Sequence, residues 1–432
     1  DEEHEAAYKS ESAPRYHARE AAIERARLCN AGVVLGSATP SVDSYQRALS
    51  GEYSLHELKN RAVSGSCLPE VTVVDMRHEL RMNNRGILSG LLKADIKRCL
   101  SLSEQVMLFI NRRGYAGFVS CRSCGEVIKC RHCDVSLTAH RYGVLKCHYC
   151  GYETPMQPLC PECGSRYIGG MRAGTEQVES EVRRVFPGAR TLRMDADTTR
   201  KKGDYERILS AFADEEADIL IGTQMIVKGH DFPRVTLMGI LAADMSLHTG
   251  DYRSAERTFE LLTQAAGRAG RAASASDGER RLMGEVVIQT YSPDNYAVIT
   301  AAHQDYKGFY EEEIAYRTMG DYPPEGHMLQ ILIEDKDEAR AISSAKSMAE
   351  YARDFMRDGP TGIIERGVPR DAHIQVIGPT DASVSKINDV YRKVIYIKSK
   401  SYELLAVLKD GIEKDRAERN AQESHVEFDF NP

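Results

Sequence analysis

Short apolar runs alternate with stretches of helical periodicity over the first 300 residues. The runs fall at 33–35, 106–110, 218–221 and 286–291. The first three are followed by small or polar residues, which is typical of buried parallel strands with functional loops at their carboxyl ends. Valines at 178, 182 and 185 repeat at helical spacing and predict a helix that ends at Pro187-Gly188. The pattern therefore predicts an α/β fold built on a parallel sheet, with an exposed polar loop at 272–284.

The pattern changes after about residue 300. It predicts a strand at 329–333, a helix at 339–356, strands at 374–377 and 394–397, and a helix at 404–412. This β-α-β-β-α order is typical of a ferredoxin-like or similar α+β domain. The last dozen residues are polar and are predicted to fray.

The cysteines form four Cys-x-x-Cys knuckles. Eight of the eleven lie within 43 residues, as Cys121/Cys124, Cys130/Cys133, Cys147/Cys150 and Cys160/Cys163. In a reducing cytosol such pairs serve metal better than disulfide, because two knuckles supply four soft thiolates within tetrahedral reach of Zn²⁺. We expect two zinc ions, with disulfides or a redox pair as the alternative.

Loop lengths favour one of the three possible pairings of the knuckles. Thirteen residues separate the second knuckle from the third, close to a zinc-ribbon hairpin, whereas only five separate the first from the second. The prediction is an inner group nested within an outer group. The inner group is Cys130, Cys133, Cys147 and Cys150, and the outer group is Cys121, Cys124, Cys160 and Cys163. Because all eight sulfurs are used, both ions are predicted to be structural, and His132, His140 and His148 to lie at the surface.

Composition adds limits on the class of protein. The 432 residues predict two to four domains, and the hydrophobic and charged shares of 42% and 28% exclude global disorder. No apolar run is long enough for a membrane helix, and the first residues lack the features of a signal peptide, so the sequence predicts a cytoplasmic protein. The net charge of −7 argues against nucleic-acid affinity over the whole surface but permits local basic grooves.

Two segments near the beginning combine acidic and hydroxyl side chains. In nucleotide-dependent motors, a D-E-x-H group such as Asp1-Glu2-Glu3-His4 places one carboxylate on Mg²⁺ and another on the attacking water. An acidic terminus is also commonplace, so this motif gains weight from its neighbours. Gly36-Ser37-Ala38-Thr39-Pro40 follows the 33–35 run, where its hydroxyl groups could sense a γ-phosphate or simply form a tight turn.

Two glycine-containing segments suit phosphate groups. Arg268 and Arg271 are three residues apart, so on a helix both guanidinium groups would point the same way and stabilise charge on a γ-phosphate. Two solvated arginines on a surface helix are the alternative, although Gly267 and Gly270 make a poor helix unless close approach requires them. The second segment is Gly222-Thr223-Gln224-Met225 with Lys228-Gly229-His230-Asp231-Phe232-Pro233. Its glycines, hydroxyl group and lysine at a strand end suit both nucleotide and DNA phosphates.

Together these motifs resemble the superfamily 2 DNA helicases and, among them, the primosomal protein N′ (PriA) family of replication restart helicases. In order, they read D-E-E-H, G-S-A-T-P, F-I-N-R-R-G-Y, the cysteine block, G-T-Q-M-x-x-K-G-x-D-F-P and Q-x-A-G-R-A-G-R. The cysteine insertion directly after 111–115 is particular to this family. The resemblance covers essentially the whole chain, including Tyr322-Pro323-Pro324.

The resemblance implies RecA-like helicase lobes, an inserted two-zinc module and the C-terminal α+β domain. The implied boundaries are 1–65 for the end of lobe 1, 66–118 for the start of lobe 2, 119–168 for the zinc module, 169–300 for the rest of lobe 2 and 301–432 for the C-terminal domain. Asp1 would bind Mg²⁺, Glu2 would be the catalytic base and His4 would couple the site to DNA. The implied nucleotide contacts are Gln264, Arg268 and Arg271, together with Gly36, Ser37, Ala38, Thr39, Lys228, Gly229 and Asp231.

The chain also departs from the family pattern. It has no G-x-x-x-x-G-K-[ST] phosphate loop, which the family carries upstream together with an N-terminal DNA-binding domain. We therefore expect the C-terminal part of a longer protein, inactive alone. The loop after the acidic motif carries Tyr8, Tyr16 and His17 where the family has DNA-sensing aromatics, and the chain has no Trp.

The implied activity is ATP-dependent 3′ to 5′ unwinding of DNA at stalled forks. The implied cofactors are ATP, Mg²⁺ and the two zinc ions. The implied partners are forked and single-stranded DNA, single-stranded-DNA-binding protein, and primosome and helicase-loading proteins, with backbone contacts expected from Arg112 and Arg113 and no membrane partner. The alternative is a zinc- and DNA-binding scaffold that does not hydrolyse ATP.

Overall fold

The computed structural model describes most of the chain. The described residues are 1–59, 68–111, 118–133, 135–140, 143–170, 174–227, 232–249, 251–269, 284–357, 368, 372–419 and 424–432. They divide into two compact units. The composite unit comprises Asp1–Leu55, Lys129–Pro155 and Tyr310–Pro432, and the parallel-sheet unit comprises His56–Ile128 and Met156–Phe309.

The helices and strands alternate along the chain. The helices are α1 (Ala18–Cys29), α2 (Val42–Leu49), α3 (Met76–Arg81), α4 (Gly90–Ser101), α5 (Thr175–Val185), α6 (Asp204–Ala213), α7 (Asp244–Leu247), α8 (Ser254–Ala266), α9 (Tyr296–His303), α10 (Tyr306–Met319), α11 (Glu338–Arg357) and α12 (Tyr402–Arg419). The strands are β1 (Glu70–Asp75), β2 (Gln105–Ile110), β3 (Val119–Cys121), β4 (Thr138–Ala139), β5 (Val144–Lys146), β6 (Glu153–Pro155), β7 (Ile168–Gly170), β8 (Thr191–Met194), β9 (Ile219–Gly222), β10 (Val235–Leu241), β11 (Glu285–Thr290), β12 (His327–Asp335), β13 (Gln375–Ile387), β14 (Val390–Ser399) and β15 (His425–Phe430).

A six-stranded parallel sheet forms the core of the parallel-sheet unit. Its strand order is β1-β11-β10-β2-β9-β8. Every residue of β2, β9 and β10 is buried, as expected for central parallel strands covered on both faces. At Gly239 in β10, an added Cβ would lie 2.7 Å from Leu108 and 3.0 Å from Leu92, so glycine allows α4 to pack closely on the sheet. The predicted parallel α/β fold is confirmed.

The C-terminal part of the composite unit has a four-stranded antiparallel sheet. Its strand order is β13-β14-β12-β15, and α11 and α12 complete a β-α-β-β-α-β chain order. This order and topology are those of a ferredoxin-like fold. Alanines at 345, 349 and 352 on α11 pack with Ile331 and Ile395 of the sheet in one hydrophobic core. The predicted C-terminal α+β domain is confirmed.

Two small antiparallel sheets surround the cysteines. Strand β3 pairs with β7 in the parallel-sheet unit, and β4, β5 and β6 form a three-stranded sheet in the composite unit. Such short strands bury little apolar surface, which is why small modules of this kind depend on metal or disulfide. The predicted domain boundaries stay a prediction.

Two predictions about chain ends and strands are wrong. Residues 33–35, which were predicted to be a buried strand, lie in a stretch without regular secondary structure, and Val34 is 93% exposed. No strand among the described residues pairs with this run. The last residues do not fray: β15 pairs with β12 from Leu329↔Phe430 to Glu334↔His425. Alternating Val426 and Phe428 side chains pack on the core, so apolar positions within a polar stretch were enough for a strand.

Candidate functional site

The acidic motif at residues 1–4 folds back onto the segment at 36–41. The Ser37 hydroxyl lies 2.7 Å from His4 Nδ1 and donates to Glu2 Oε2 at 3.3 Å. His4 Nδ1 lies 3.6 Å from the same Glu2 oxygen, and the His4 side chain is 4% exposed whereas that of Glu2 is 43% exposed. An accessible carboxylate is thus oriented by a buried imidazole and a hydroxyl group, an arrangement suited to positioning a water molecule.

The backbone at Glu2 is unusual. Its φ is 50°, in the left-handed region that non-glycine residues seldom adopt. The amide of Glu5 donates to the Glu2 carbonyl at 2.9 Å and closes the turn. Left-handed backbone of this kind concentrates at functional sites. Asp1 is exposed, and its carboxylate accepts the Glu2 amide at 3.2 Å.

The other residues predicted in this segment have distinct places. The Gly36 carbonyl accepts the Glu3 amide at 3.2 Å, and the Thr39 amide donates to Ser37 Oγ at 3.0 Å. Ala38 is exposed, whereas Thr39 is buried. Of the predicted residues in these two segments, the structure therefore brings Glu2, His4 and Ser37 into direct contact.

Glu3 was not among the predicted site residues, although it lies inside the motif. Its buried carboxylate accepts hydrogen bonds from Arg19, Ser41 and Ser44. The sequence contains no spacing signal for this cluster, because its members come from three separate segments. Only the position of Glu3 between two predicted residues could have suggested it.

The arginine segment differs in part from its prediction. Gln264 lies in α8, but the helix ends at Ala266 and Arg268 lies in the turn that follows. The prediction that both arginines share a helix is therefore wrong for Arg268, because the helix stops before Gly267. Burial raises the pKa of Tyr205 in α6, and the positive charge of nearby Arg268 partly offsets this rise. The remaining predicted residues, Arg112, Arg113, Lys228, Gly229, Asp231 and Arg271, lie outside the described residues.

The eight cysteines gather in the nested arrangement. The four Sγ atoms of each group lie within 4.8 Å of one another. In the outer group Cys121 and Cys163 are 3.6 Å apart and Cys124 and Cys160 are 3.7 Å apart, and in the inner group Cys130 and Cys150 are 3.6 Å apart. Four thiolates about 2.3 Å from one zinc ion would lie about 3.8 Å apart, so both groups are compatible with Zn²⁺.

Local backbone geometry forms the knuckles. Glycines follow the second cysteine in three of them, and Gly125, Gly151 and Gly164 have φ values of 85°, 78° and 69°. The Gly151 amide donates to the Cys147 carbonyl at 3.0 Å, and the Cys147 amide donates to Tyr152 at 2.8 Å. Glycine takes this left-handed conformation without strain, so the turn can present both sulfurs to one point.

The thiols of the inner group have opposite pKa shifts. A hydrogen bond from Cys133 lowers the pKa of Cys147 to about 5 and raises the pKa of Cys133, while burial raises the pKa of Cys130 to about 11. A thiol with a lowered pKa is a thiolate at neutral pH, which is the form that binds metal. No histidine of the described residues belongs to either group, and His140 and His148 instead face each other with Nε2 atoms 3.1 Å apart.

The inner group packs against the C-terminal sheet. Lys146, beside Cys147, lies 2.7 Å from Asp381 on β13, and Lys393 on β14 contacts the same carboxylate. Burial alone would raise the pKa of Asp381, but these two ammonium groups lower it. Tyr149 stacks on Tyr396 with ring centroids 4.7 Å apart. The inner group is thereby joined to β13 and β14 by charge and by aromatic contact.

The outer group lies within the parallel-sheet unit and packs against α3 and the segment after β11. Arg77 at the start of α3 donates to the Cys124 carbonyl at 3.3 Å and pairs with Asp75 at the end of β1. An added Cβ at Gly125 would lie 2.5 Å from the Tyr291 carbonyl, so the knuckle closely approaches the segment after β11. The hydroxyl groups of Ser123 and Ser165 lie 2.7 Å apart and link the two knuckles of this group.

Within the described ranges, every helix is too short or too polar to span a lipid bilayer.

Three family models match the chain. The model described as PriA DNA helicase Cys-rich region (CRR) domain matches residues 130–155, which hold the inner group. The helicase conserved C-terminal domain matches 172–273, and the primosomal protein N C-terminal domain matches 318–432. These matches follow the same order as the cysteine module, the second half of the parallel sheet and the ferredoxin-like domain.

Curated relatives match almost the whole chain. The replication restart protein PriA of Bacillus subtilis is 44% identical over 434 residues, which cover 100% of this chain and 51% of the relative. The protein of the same name from Synechocystis is 38% identical over 93% of this chain and 47% of the relative, and that from Treponema pallidum is 37% identical over 100% and 61%. The chain thus spans about half the length of the curated relatives it matches.

Solved structures are less similar. The match to the structure of RecG bound to a three-way DNA junction spans 62% of this chain and 24% of the RecG chain, with 13% identity and a TM-score of 0.31. A likeness at this level carries no argument. Three family models match in order along the chain, and relatives of one name are up to 44% identical to it. The chain therefore belongs to the PriA family of replication restart proteins.

Proposed function

We propose that the chain is part of an ATP-dependent DNA helicase that unwinds DNA 3′ to 5′ and assembles a primosome at stalled replication forks. Its family and its match to a helicase C-terminal domain support this proposal. The observation that carries it is the accessible Glu2 carboxylate held beside buried His4 and the Ser37 hydroxyl group. A scaffold without turnover has no need for an accessible carboxylate oriented in this way.

Glu2 and Asp1 have different roles in the proposed hydrolysis of ATP. Glu2 holds the attacking water and accepts its proton, while His4 and Ser37 fix the orientation of the Glu2 carboxylate. Asp1, which is exposed beside Glu2, supplies a ligand for Mg²⁺. ATP with Mg²⁺ supplies the phosphoryl group, the free energy and the charge neutralisation of its leaving phosphates.

The proposal includes two further sets of nucleotide contacts. The first set follows the acidic motif and consists of Gly36, Ser37, Ala38 and Thr39. The second set consists of Gln264, Arg268, Arg271, Lys228, Gly229 and Asp231. The arginines stabilise charge on the γ-phosphate, and the lysine and glycine suit phosphate oxygens. The proposal requires a phosphate-binding loop from other residues of the protein, because these 432 residues contain none.

Zinc and macromolecular partners complete the proposal. The two cysteine groups each hold one structural zinc ion, since four thiolates leave no open position for a catalytic water. The protein acts in the cytoplasm on forked and single-stranded DNA, together with single-stranded-DNA-binding protein and with primosome and helicase-loading proteins.

A Glu2→Gln substitution tests the proposal in a protein of the relatives' full length that contains this chain. Glutamine keeps the size of the side chain but cannot accept the proton, so DNA-stimulated ATP hydrolysis should fall by about 100-fold or more. Binding of forked DNA should persist. The matched control is Glu24→Gln, at an exposed glutamate of α1, which should leave hydrolysis unchanged.

Retention of ATP hydrolysis by the Glu2→Gln protein would contradict the role of Glu2. The absence of any DNA-stimulated hydrolysis in the unmodified full-length protein would favour the non-hydrolysing zinc- and DNA-binding scaffold instead.

A further inference from the structure

Glu3 is a buried carboxylate inside an otherwise accessible motif. It is 3% exposed. One oxygen accepts the Ser41 amide at 2.6 Å, and the other accepts Arg19 Nη1 at 2.6 Å, Ser44 Oγ at 3.0 Å and Ser41 Oγ at 3.2 Å. All four donors belong to the protein, and both oxygens of the buried carboxylate are engaged. Burial keeps Glu3 away from solvent, so its role differs from that of the accessible Glu2.

The hydrogen bonds of Glu3 fall on both sides of Ser37. Its amide donates to the Gly36 carbonyl at 3.2 Å, one residue before Ser37, and its carboxylate holds the Ser41 amide four residues after. Ser41 also caps α2, since its hydroxyl accepts the Ser44 amide at 3.3 Å. The segment that carries Ser37 is thus fixed at both ends by the residue that lies between Glu2 and His4.

Arg19 compensates the buried charge. Its side chain is 11% exposed, and Nη1 donates both to Glu3 and to Ser41 Oγ, the latter at 2.8 Å. A buried carboxylate is costly without such a partner, and a hydrogen bond between charged groups is stronger than one between neutral groups. The ion pair with Arg19 therefore offsets the cost of burying the Glu3 carboxylate and strengthens the hydrogen bond between the two side chains.

We infer that Glu3 is a positioning residue for the proposed ATPase site, one that holds Ser37 against Glu2 and His4 and so sets the direction of the Glu2 carboxylate. The inference rests on the proposed function. Displacement of a catalytic group by about 1 Å can reduce turnover by about 100-fold, whereas substrate binding by other residues is unaffected. Loss of the Glu3 clamp should therefore lower kcat, whereas KM for ATP should change little because the proposed contacts outside the 36–39 segment stay in place.

The test is Glu3→Gln in the full-length protein. Glutamine can still accept the Ser41 amide, but it lacks the charge that pairs with Arg19. We expect kcat for DNA-stimulated ATP hydrolysis, per folded molecule, to fall by about 10- to 100-fold, with KM for ATP and forked-DNA affinity changed less than about twofold. The matched control is Glu313→Gln, because Glu313 is 0% exposed and pairs with buried Arg317 at 2.7 Å. It should lower the melting temperature without changing kcat.

The outcomes separate this inference from the proposed function. If Glu2→Gln abolishes hydrolysis while folded Glu3→Gln keeps the kcat of the unmodified protein, the inference is overturned and the proposed function stands. If Glu2→Gln retains hydrolysis, the proposed function fails. Should Glu3→Gln not fold, Ser41→Ala decides by the same criterion, since it removes one bond to Glu3 and should lower kcat by about threefold or more with KM unchanged.

Discussion

The inner and outer cysteine groups have the same ligands and nearly the same geometry, yet they pack against different parts of the protein. Sulfur-to-sulfur distances are 3.6 Å in the inner group and 3.6 and 3.7 Å in the outer group. The inner group contacts β13 and β14 through Lys146 and Tyr149. The outer group contacts α3 and the segment after β11 through the backbone of Cys124 and Gly125.

The positions of the sulfurs and the surroundings of each metal site depend on different features of the sequence. The Cys-x-x-Cys turn sets the positions of the sulfurs in both groups, and a glycine follows both knuckles of the outer group and the Cys147/Cys150 knuckle of the inner group. The side chains around the knuckles decide which part of the chain each metal supports. Those of the inner group are a charged cluster and a ring pair, whereas Arg77 and Arg81 donate to backbone carbonyls of the outer group. The four predictions that follow alter one side of this comparison at a time.

Removal of one knuckle should have the largest effect. The paired substitutions Cys130→Ser and Cys133→Ser should remove the inner zinc ion alone, and Cys121→Ser with Cys124→Ser the outer ion alone. Structural zinc binds with about 10–16 kcal/mol of apparent free energy, so each variant should lose one whole ion. Metal analysis should return two ions for the unmodified chain and one for each variant. The control is Cys29→Ser, at an exposed cysteine outside both groups, which should keep both ions. A single ion in the unmodified chain would refute the nested assignment.

Substitution of Asp381 should have the second largest effect. Asp381→Asn leaves the partly buried ammonium groups of Lys146 and Lys393 with only their more exposed partners, Glu153 and Glu338, which should lower the free energy of unfolding by about 2 kcal/mol. Urea unfolding of the zinc-loaded protein measures the change. Asp410→Asn is the control, because Asp410 is an exposed partner of Lys409 and its loss should cost less than about 0.5 kcal/mol. Equal losses would show that the Asp381 cluster does not support the inner group.

Removal of the ring stack should have a smaller effect. Tyr396→Ala deletes the partner of Tyr149 and should lower the free energy of unfolding by about 1–2 kcal/mol. Tyr396→Phe keeps the stacked ring and should cost about 0.5 kcal/mol or less. Neither Tyr149 nor Tyr396 is a predicted zinc ligand, so both variants should still contain two zinc ions. If the two variants were equally destabilised, the ring contact would not be the source of the effect.

On the outer side the smallest effect is expected at Arg77. Arg77→Ala removes the bond to the Cys124 carbonyl and the pair with Asp75, and the released groups can be hydrated, so the loss should be about 1 kcal/mol. Arg81→Ala is the control, since Arg81 lies 3.5 Å from the Ser123 carbonyl and its removal should be almost neutral. A larger loss for Arg77→Ala than for Asp381→Asn would reverse the comparison between the two groups.

The sequence predicted local structure well where one segment contains the whole signal. Loop lengths between knuckles led to the nested grouping, and apolar runs such as 106–110 led to buried parallel strands. The ferredoxin-like domain followed from its strand and helix order, but its fourth strand was missed. In β15 the alternating Val426, Phe428 and Phe430 lie within a mostly polar tail, and that alternation was not recognised.

The prediction failed where the outcome depends on distant partners. The run at 33–35 is as apolar as a buried strand, but it has no described neighbour with which to pair. The cluster of Glu3 with Arg19, Ser41 and Ser44 joins three segments that no spacing rule connects. The same holds for Asp381, which is 235 residues from Lys146 along the chain.

Hydrogen exchange followed by mass spectrometry tests most directly whether each cysteine group supports its own part of the protein. The unmodified chain is compared with the Cys130→Ser/Cys133→Ser and the Cys121→Ser/Cys124→Ser variants. We expect faster exchange in β13 and β14 for the inner variant alone and in β1 and α3 for the outer variant alone. Faster exchange of the same strands in both variants, or of the opposite strands, would contradict this expectation.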